Sequence, residues 1–261
     1  MAAISLSAVR RPRRRLPGRV LALQVGSFLA VWAAWEILSR SGLLYEGVVP
    51  SSFAVFGSIG EHLSDPVFYD HLGRTAYEVV LGFLIGGVAG FAVGVAFGLW
   101  PFAGLTGEPY LNYLAPTPKI IFLPIMMVLF GVGPGSKVAM AAISCFFPVA
   151  VSVYAGTKLI DPILLRVARI FKASRMQMVR YVYLPALVPF LITGARLGAG
   201  VAIAGTLIAE IKLSNKGLGF LAIQHYNFFN TDDMYAVLII IFTIAIGINV
   251  LFNKVAARYK Y

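Results

Sequence analysis

Apolar residues run along this chain in six long blocks, at about residues 20–38, 76–100, 110–130, 138–157, 186–211 and 234–256, with charged and turn-forming residues between them. Each block approaches or exceeds the roughly 20 residues that carry an α-helix across the hydrocarbon of a bilayer. The pattern predicts an all-α polytopic membrane protein with about six transmembrane helices. Two blocks are punctuated. In the second, Gly82, Gly86, Gly87, Gly90, Gly94 and Gly98 form a ladder at four-residue spacing with one extra member. Such a ladder admits a neighbouring helix with no side chain between, placing this helix inside the bundle. In the third, Pro116, Pro118 and Pro124 free backbone carbonyls that need protein neighbours or a water-lined cavity, which makes this block a candidate pore wall. Between the first two blocks, residues 49–71 carry Pro50, Ser51 and Ser52, then apolar Phe53, Val55, Phe56, Ile59 and Leu63. That spacing predicts a short amphipathic helix on the outer surface.

Residues 158–183 are patterned as helices without being a span. Asp161 is an N-cap followed by Pro162 at the first helical position, so a helix starts there. Ile163, Val167 and Ile170 or Phe171 share one face, and Arg166 and Arg169 point elsewhere. A second short helix is predicted from Ser174 as cap to Tyr183, before Leu184 and Pro185 open the next span. The pair reads either as a docking knob for another protein or as an amphipathic loop lying on lipid headgroups.

Composition and charge sharpen this reading. The chain is 59% apolar and 13% charged with mean hydropathy +0.82, against about 45–50% and about 25% in an ordinary soluble domain. The net charge of +11 does not form an aromatic-interleaved patch, and no nucleic-acid partner is expected. The basic residues follow a topology instead. With both termini cytoplasmic, six Arg in residues 1–19, six Lys/Arg in residues 158–183 and Lys254, Arg258 and Lys260 fall inside, fifteen of the twenty-two bases. Arg40, Arg74, Lys137, Lys212 and Lys216 fall outside with most of the acids. Residues 1–19 thus read as a basic cytoplasmic arm and the first block as an uncleaved span; residues 20–261 are the transmembrane domain.

Candidate chemistry is sparse. Cys145 is the single cysteine, there is no phosphate-binding G-x-x-x-x-G-K-S/T loop, no H-E-x-x-H and no G-x-S-x-G. His62, His71 and His225 fall on outer segments far apart in the chain and read as surface or interface residues, so no metal site and no catalytic set are expected. Lys119, Arg196 and Glu210 are ionisable groups at membrane depth, costly unless paired or facing water. Lys119 is read as snorkelling to the inner interface. Arg196 is the candidate for attracting an anion, with pairing to a backbone carbonyl or to a neighbouring carboxylate as the alternative. Glu210, Thr117, Phe122, Met126, Phe146 and Phe147 are candidates to line a central path; aromatics and Met at this spacing also serve as ordinary core.

The loop and its flanks resemble the inner-membrane permease subunits of binding-protein-dependent ABC importers, in the branch that includes taurine, alkanesulfonate, nitrate and bicarbonate permeases. In that family the loop reads Glu-Ala-Ala, three residues, Gly, then about ten residues to Leu-Pro. Here those positions hold Arg166, Val167 and Ala168, then Lys172 at the glycine, Ala173, Ser174, and finally Leu184 and Pro185. The second Ala, the Ala-Ser and the Leu-Pro are retained. Lys172 stands where a residue at ease with positive φ is favoured, and would require strain or another turn. The resemblance continues through VVPSS, DHLGRTAYEVVLGFLIG, LAPTPKIIFLPIMMVLFGVGPGSK, FFPVAVSVYAG and LITGARLGAG, covering about residues 48–220.

The resemblance implies a MetI-like permease fold in a bacterial inner membrane. It implies a subunit without catalysis or cofactor of its own, ATP being bound by two partner ATPase subunits. A second permease, identical or not, and an external solute-binding protein would complete the assembly. Ile163, Arg166, Val167, Ala168, Arg169, Phe171, Lys172, Ala173, Ser174 and Arg175 would meet the ATPase. The cargo implied is sulfonate-like or another small anion; a vitamin or pyrimidine precursor is the alternative within transport. A stand-alone secondary transporter would show an internal repeat with paired broken helices, and none is evident.

Overall fold

The computed structural model describes residues 18–43 and 47–258; most of the basic arm, Glu46 and Lys260 lie outside them. All regular structure among the described residues is helical. The described residues form two compact units, divided between residues 54 and 55. In the first, helix α1 (Gly18–Arg40) is long and apolar enough to span a membrane. Its end is tied to the following segment by Glu36, which accepts from the Ser52 N–H (3.1 Å) and hydroxyl (2.8 Å), and by the Trp35 indole N–H donating to the Pro50 carbonyl at 3.0 Å.

Helix α2 (Ser52–Ser64) leads into the second unit and matches the predicted amphipathic segment, but stops earlier than expected. Asp65 caps a new helix through the Val67 N–H (2.9 Å), with Pro66 at its first position, so α3 runs Pro66–Leu99, well beyond the expected 76–100. The same Asp-Pro device starts the loop helix at Asp161. The expected third span is bent. Helix α4 (Pro101–Leu114) and the segment Lys119–Phe130, a 3-10 turn followed by α5 (Leu123–Phe130), meet at 100°. Pro116 and Pro118 sit in the break, whereas Pro124 falls in the first turn of α5, where its missing N–H costs nothing. Helices α6 (Pro134–Lys158), α9 (Leu184–Leu213) and α11 (Thr231–Arg258) complete the apolar set, with α7 (Pro162–Ile170), α8 (Arg175–Met178) and α10 (Leu218–Asn227) between them. Counting the bent pair as one span, the described residues hold six candidate crossings.

The glycine ladder explains the packing. A Cβ on Gly82 would lie 2.3 Å from the Ala141 Cβ, one on Gly90 2.5 Å from the Phe146 carbonyl oxygen and one on Gly98 2.4 Å from Thr157. Numbers rise together, so α3 and α6 run parallel, backbone against backbone. Two parallel neighbours need the chain between them to return from Leu99 to Pro134, and the bent α4–α5 pair makes that crossing. On its other side α6 meets α9 antiparallel: Gly194 faces Val149 and Ser152, Gly198 faces Cys145, and Gly205 faces Ser144 and Met140. The core cluster of Val95, Ala141, Cys145, Val149, Val153, Leu187 and Ala202 fills this three-helix seam. Residues 158–183 therefore project from one end of the bundle, and residues 214–230 lie at the other.

Candidate functional site

At the loop end, Asp161 caps α7 as expected, accepting from the Ile163 N–H at 2.8 Å. Helix α7 buries little. Leu165 packs on the core cluster and Ala168 is half-buried, while the opposite face is open: Ile163 and Ile170 are exposed, as are Val167 at 43% and Phe171 at 81%. Arg166 and Arg169 are exposed beside it. This is an apolar face with a basic margin and no partner within the described residues.

Lys172 settles the turn. Its φ is +52°, the left-handed region. The Lys172 N–H donates to the Arg169 carbonyl and the Ala173 N–H to the Ala168 carbonyl, both at 3.0 Å. That pair of bonds is the Schellman ending of a helix, with a lysine in the place a glycine usually takes. Of the two alternatives, strain or another geometry, the chain adopts the strained one. Lys172→Gly should therefore stabilise the fold by about 1 kcal/mol, read as a rise of about 2–4 °C in the thermal midpoint of the purified protein.

Ser174 is the expected cap: its hydroxyl accepts from the Gln177 N–H at 3.3 Å, and its own N–H donates to the Gln177 side chain at 2.7 Å. The Arg175 side chain lies outside the described residues. The second loop helix differs from expectation, since it does not stop before Leu184. It continues through a π turn, Val179–Tyr183, into α9, giving one helical run Met176–Leu213. Pro185 has no N–H for a carbonyl one turn back, and the wider turn, closed by Leu184 N–H to the Val179 carbonyl, absorbs the mismatch. Met178, Val179, Val182 and Tyr183 pack with Leu165 into the cluster that also holds Val95 and Leu99 of α3 and Val153 of α6. The loop is continuous with α9 and wedged against two other spans.

The path candidates fall in two groups. At the α4–α5 break, the Thr117 hydroxyl donates to the Tyr113 carbonyl (2.9 Å). Lys119 turns back to donate to the Leu114, Ala115 and Thr117 carbonyls (2.6–2.9 Å) and lies 4.7 Å from the centre of the Phe147 ring. Its ammonium group satisfies carbonyls left free at the proline break. Phe146 and Phe147 meet edge-on at 5.0 Å, Phe147 packs with Leu111 and Ala150, and Phe122 and Met126 pack on Leu123, Met140 and Ala209. Arg196 points from the side of α9 opposite the α6-facing Gly194 and Gly198, and donates to Asn253 of α11 at 2.6 Å. Its partner is thus a side-chain amide, neither the backbone carbonyl nor the carboxylate expected.

Glu210 is fully buried. It accepts from the Thr75 hydroxyl and the Gly219 N–H, both at 2.7 Å, while Thr75 accepts from the Leu218 N–H. Gly217, at φ +111°, lets this turn pass against the carboxylate, where a Cβ would sit 2.2 Å from Glu210 Oε1. Nearby, Glu78 is buried and pairs with Arg74 at 3.0 Å. Lys137, placed outside by the charge count, is 1% exposed and donates to the Val132, Gly133 and Leu213 carbonyls. These residues lock α3, α6, α9 and α10 together at the end away from the loop. Sequence reading missed Thr75 and Lys137 because Glu210 and Leu213, which they meet, lie on another helix, and it missed Glu78, whose Arg74 partner is one turn away, because nothing local signals its burial. It also missed a grouping of histidines. His62 and His225 approach Asp233, at 3.5 and 3.6 Å. His71 is separate, accepting from the Gly217 N–H at 3.1 Å and stacking on Phe220.

Residues 79–259 match the family model described as binding-protein-dependent transport system inner membrane component. The taurine transport system permease protein of Escherichia coli K12 is 29% identical over 252 residues, covering 93% of this chain and 92% of that protein. A putative aliphatic sulfonates transport permease protein of Bacillus subtilis 168 is also 29% identical, over 80% of this chain and 75% of its own length. In fold, the chain is similar to a subunit in an inward facing structure of the MetNI methionine ABC transporter. The TM-score is 0.66 at 21% identity, covering 75% of this chain and 97% of that one.

Proposed function

Because the chain belongs to the family of inner membrane components of binding-protein-dependent transport systems, we propose that it forms part of the solute pathway of an ABC importer whose cargo is taurine or a related small sulfonate. It is a multi-pass membrane subunit and a transporter component, not an enzyme. The observation that carries the mechanical reading is the two-sided loop. The open face of Ile163, Val167, Ile170 and Phe171 fits an amphipathic helix set in a partner's apolar groove, here a cytoplasmic ATPase subunit. The opposite side, through Leu165, Met178 and Tyr183, is packed on α3, α6 and α9. A push on the open face is delivered to three spans at once, because a well-packed seam moves as a body. ATP binding and hydrolysis in two such subunits then bias the bundle between two states. The sulfonate cargo rests on the two relatives, which cover most of the chain.

The test is reconstitution in proteoliposomes with a cognate ATPase subunit and solute-binding protein from the same organism. ATP-dependent accumulation of labelled taurine or an alkanesulfonate is the expected result. Uptake of a different solute by the same assembly would overturn the cargo, and absence of any nucleotide-dependent uptake would overturn the importer reading.

A further inference from the structure

We propose that His62, His225 and Asp233 bind one divalent transition-metal ion, Zn2+ by the chemistry of their donors, at the end of the bundle opposite the loop. The three residues come from separate elements: the last turn of α2, the last turn of α10 and the first turn of α11. One donor atom from each lies within 4.8 Å of the others. His62 Nε2 is 3.5 Å from Asp233 Oδ1, and His225 Nδ1 is 3.6 Å from Asp233 Oδ2. These are long for hydrogen bonds but close to the edge of a tetrahedron around zinc, about 3.3 Å for metal–ligand bonds of about 2.0–2.1 Å. The rings meet at 5.3 Å and 68°, so they do not stack on one another.

One further observation favours an ion over a plain polar cluster. His62 Nε2 is buried without a hydrogen-bond partner, and a buried imidazole nitrogen left unpaired is costly. A metal bond to that nitrogen removes the cost. The side chains are 12–29% exposed, which leaves an entry route and a fourth position for water. Two imidazoles and one carboxylate suit zinc, whereas magnesium and calcium take oxygen donors. The tight turn between α10 and α11, with Phe229 at φ +61°, brings His225 and Asp233 face to face.

The experiment uses the full chain in detergent, stripped with a chelator and titrated with zinc chloride against a chromophoric chelator. Stoichiometric binding with Kd of about 1 µM or tighter is expected, undisturbed by excess magnesium or calcium. X-ray absorption at the zinc edge of the unaltered protein should show two imidazoles. His62→Gln should weaken binding by about 100-fold or more and abolish the zinc-dependent rise in thermal midpoint, with helix content by circular dichroism unchanged. Absence of binding below about 100 µM zinc, a zinc spectrum without two imidazoles, or undiminished binding in His62→Gln each overturns the site.

Discussion

Gly86→Ala is expected to be among the most damaging single-methyl additions in this chain. A Cβ at Gly86 would lie 2.1 Å from the Ala142 carbonyl oxygen and 2.8 Å from its carbon, so it meets backbone, not a side chain that can turn away. Relief requires α3 and α6 to separate, and separation also strips the contacts of Gly82 and Gly90, which lie on the same line. Overpacking of this kind costs about 3 kcal/mol. Gly87→Ala is the matched control. Its Cβ would find only the Cys145 sulfur at 4.0 Å, and the effect should stay within about 0.5 kcal/mol. Thermal midpoints of the two variants in one detergent decide the matter; equal midpoints would mean that α3 and α6 do not pack through this ladder.

Val167→Asp should leave the protein folded in the membrane and abolish the ATP-driven uptake proposed for it. The side chain is 43% exposed on the open face of α7, so a carboxylate there meets solvent and costs the isolated subunit little. In the docked assembly the same charge would be buried in an apolar groove without a partner. Loss of one central anchor is worth about 2 kcal/mol, a roughly 30-fold weaker contact, and desolvating the new charge adds to it. Uptake should fall below about a tenth of the unaltered level, with membrane content unchanged by immunoblot and the ATPase lost on co-purification. Unaltered uptake would show that this face is not where force enters.

Much of the architecture is legible along the chain because lipid imposes it locally. A span must be apolar for about 20 residues whatever its neighbours do, and the blocks around α6, α9 and α11 emerge close to where they end. Caps are equally local: Asp161 followed by Pro162, and Ser174 with Gln177 three residues on, each satisfy orphan N–H groups within one turn. Two boundaries were missed for separate reasons. The start of α3 at Asp65 was hidden because Asp70, His71, Gly73 and Arg74 interrupt the apolar run of its first turns although they are helical, and the joining of α8 to α9 because Pro185 is accommodated by a π turn.

What sequence alone determined is therefore the one-dimensional part: the placement of the apolar helices, the capped loop between them and the asymmetry of basic charge. Only the tertiary structure decided where the polar groups go. Lys137 reaching the Leu213 carbonyl, Glu210 meeting Thr75 across two spans, Arg196 facing Asn253, and His62 arriving beside His225 and Asp233 all depend on contacts between distant segments. A charge at membrane depth must find a partner, but its own neighbourhood in the chain does not say which one; the packing of parallel α3 and α6 around their glycines does.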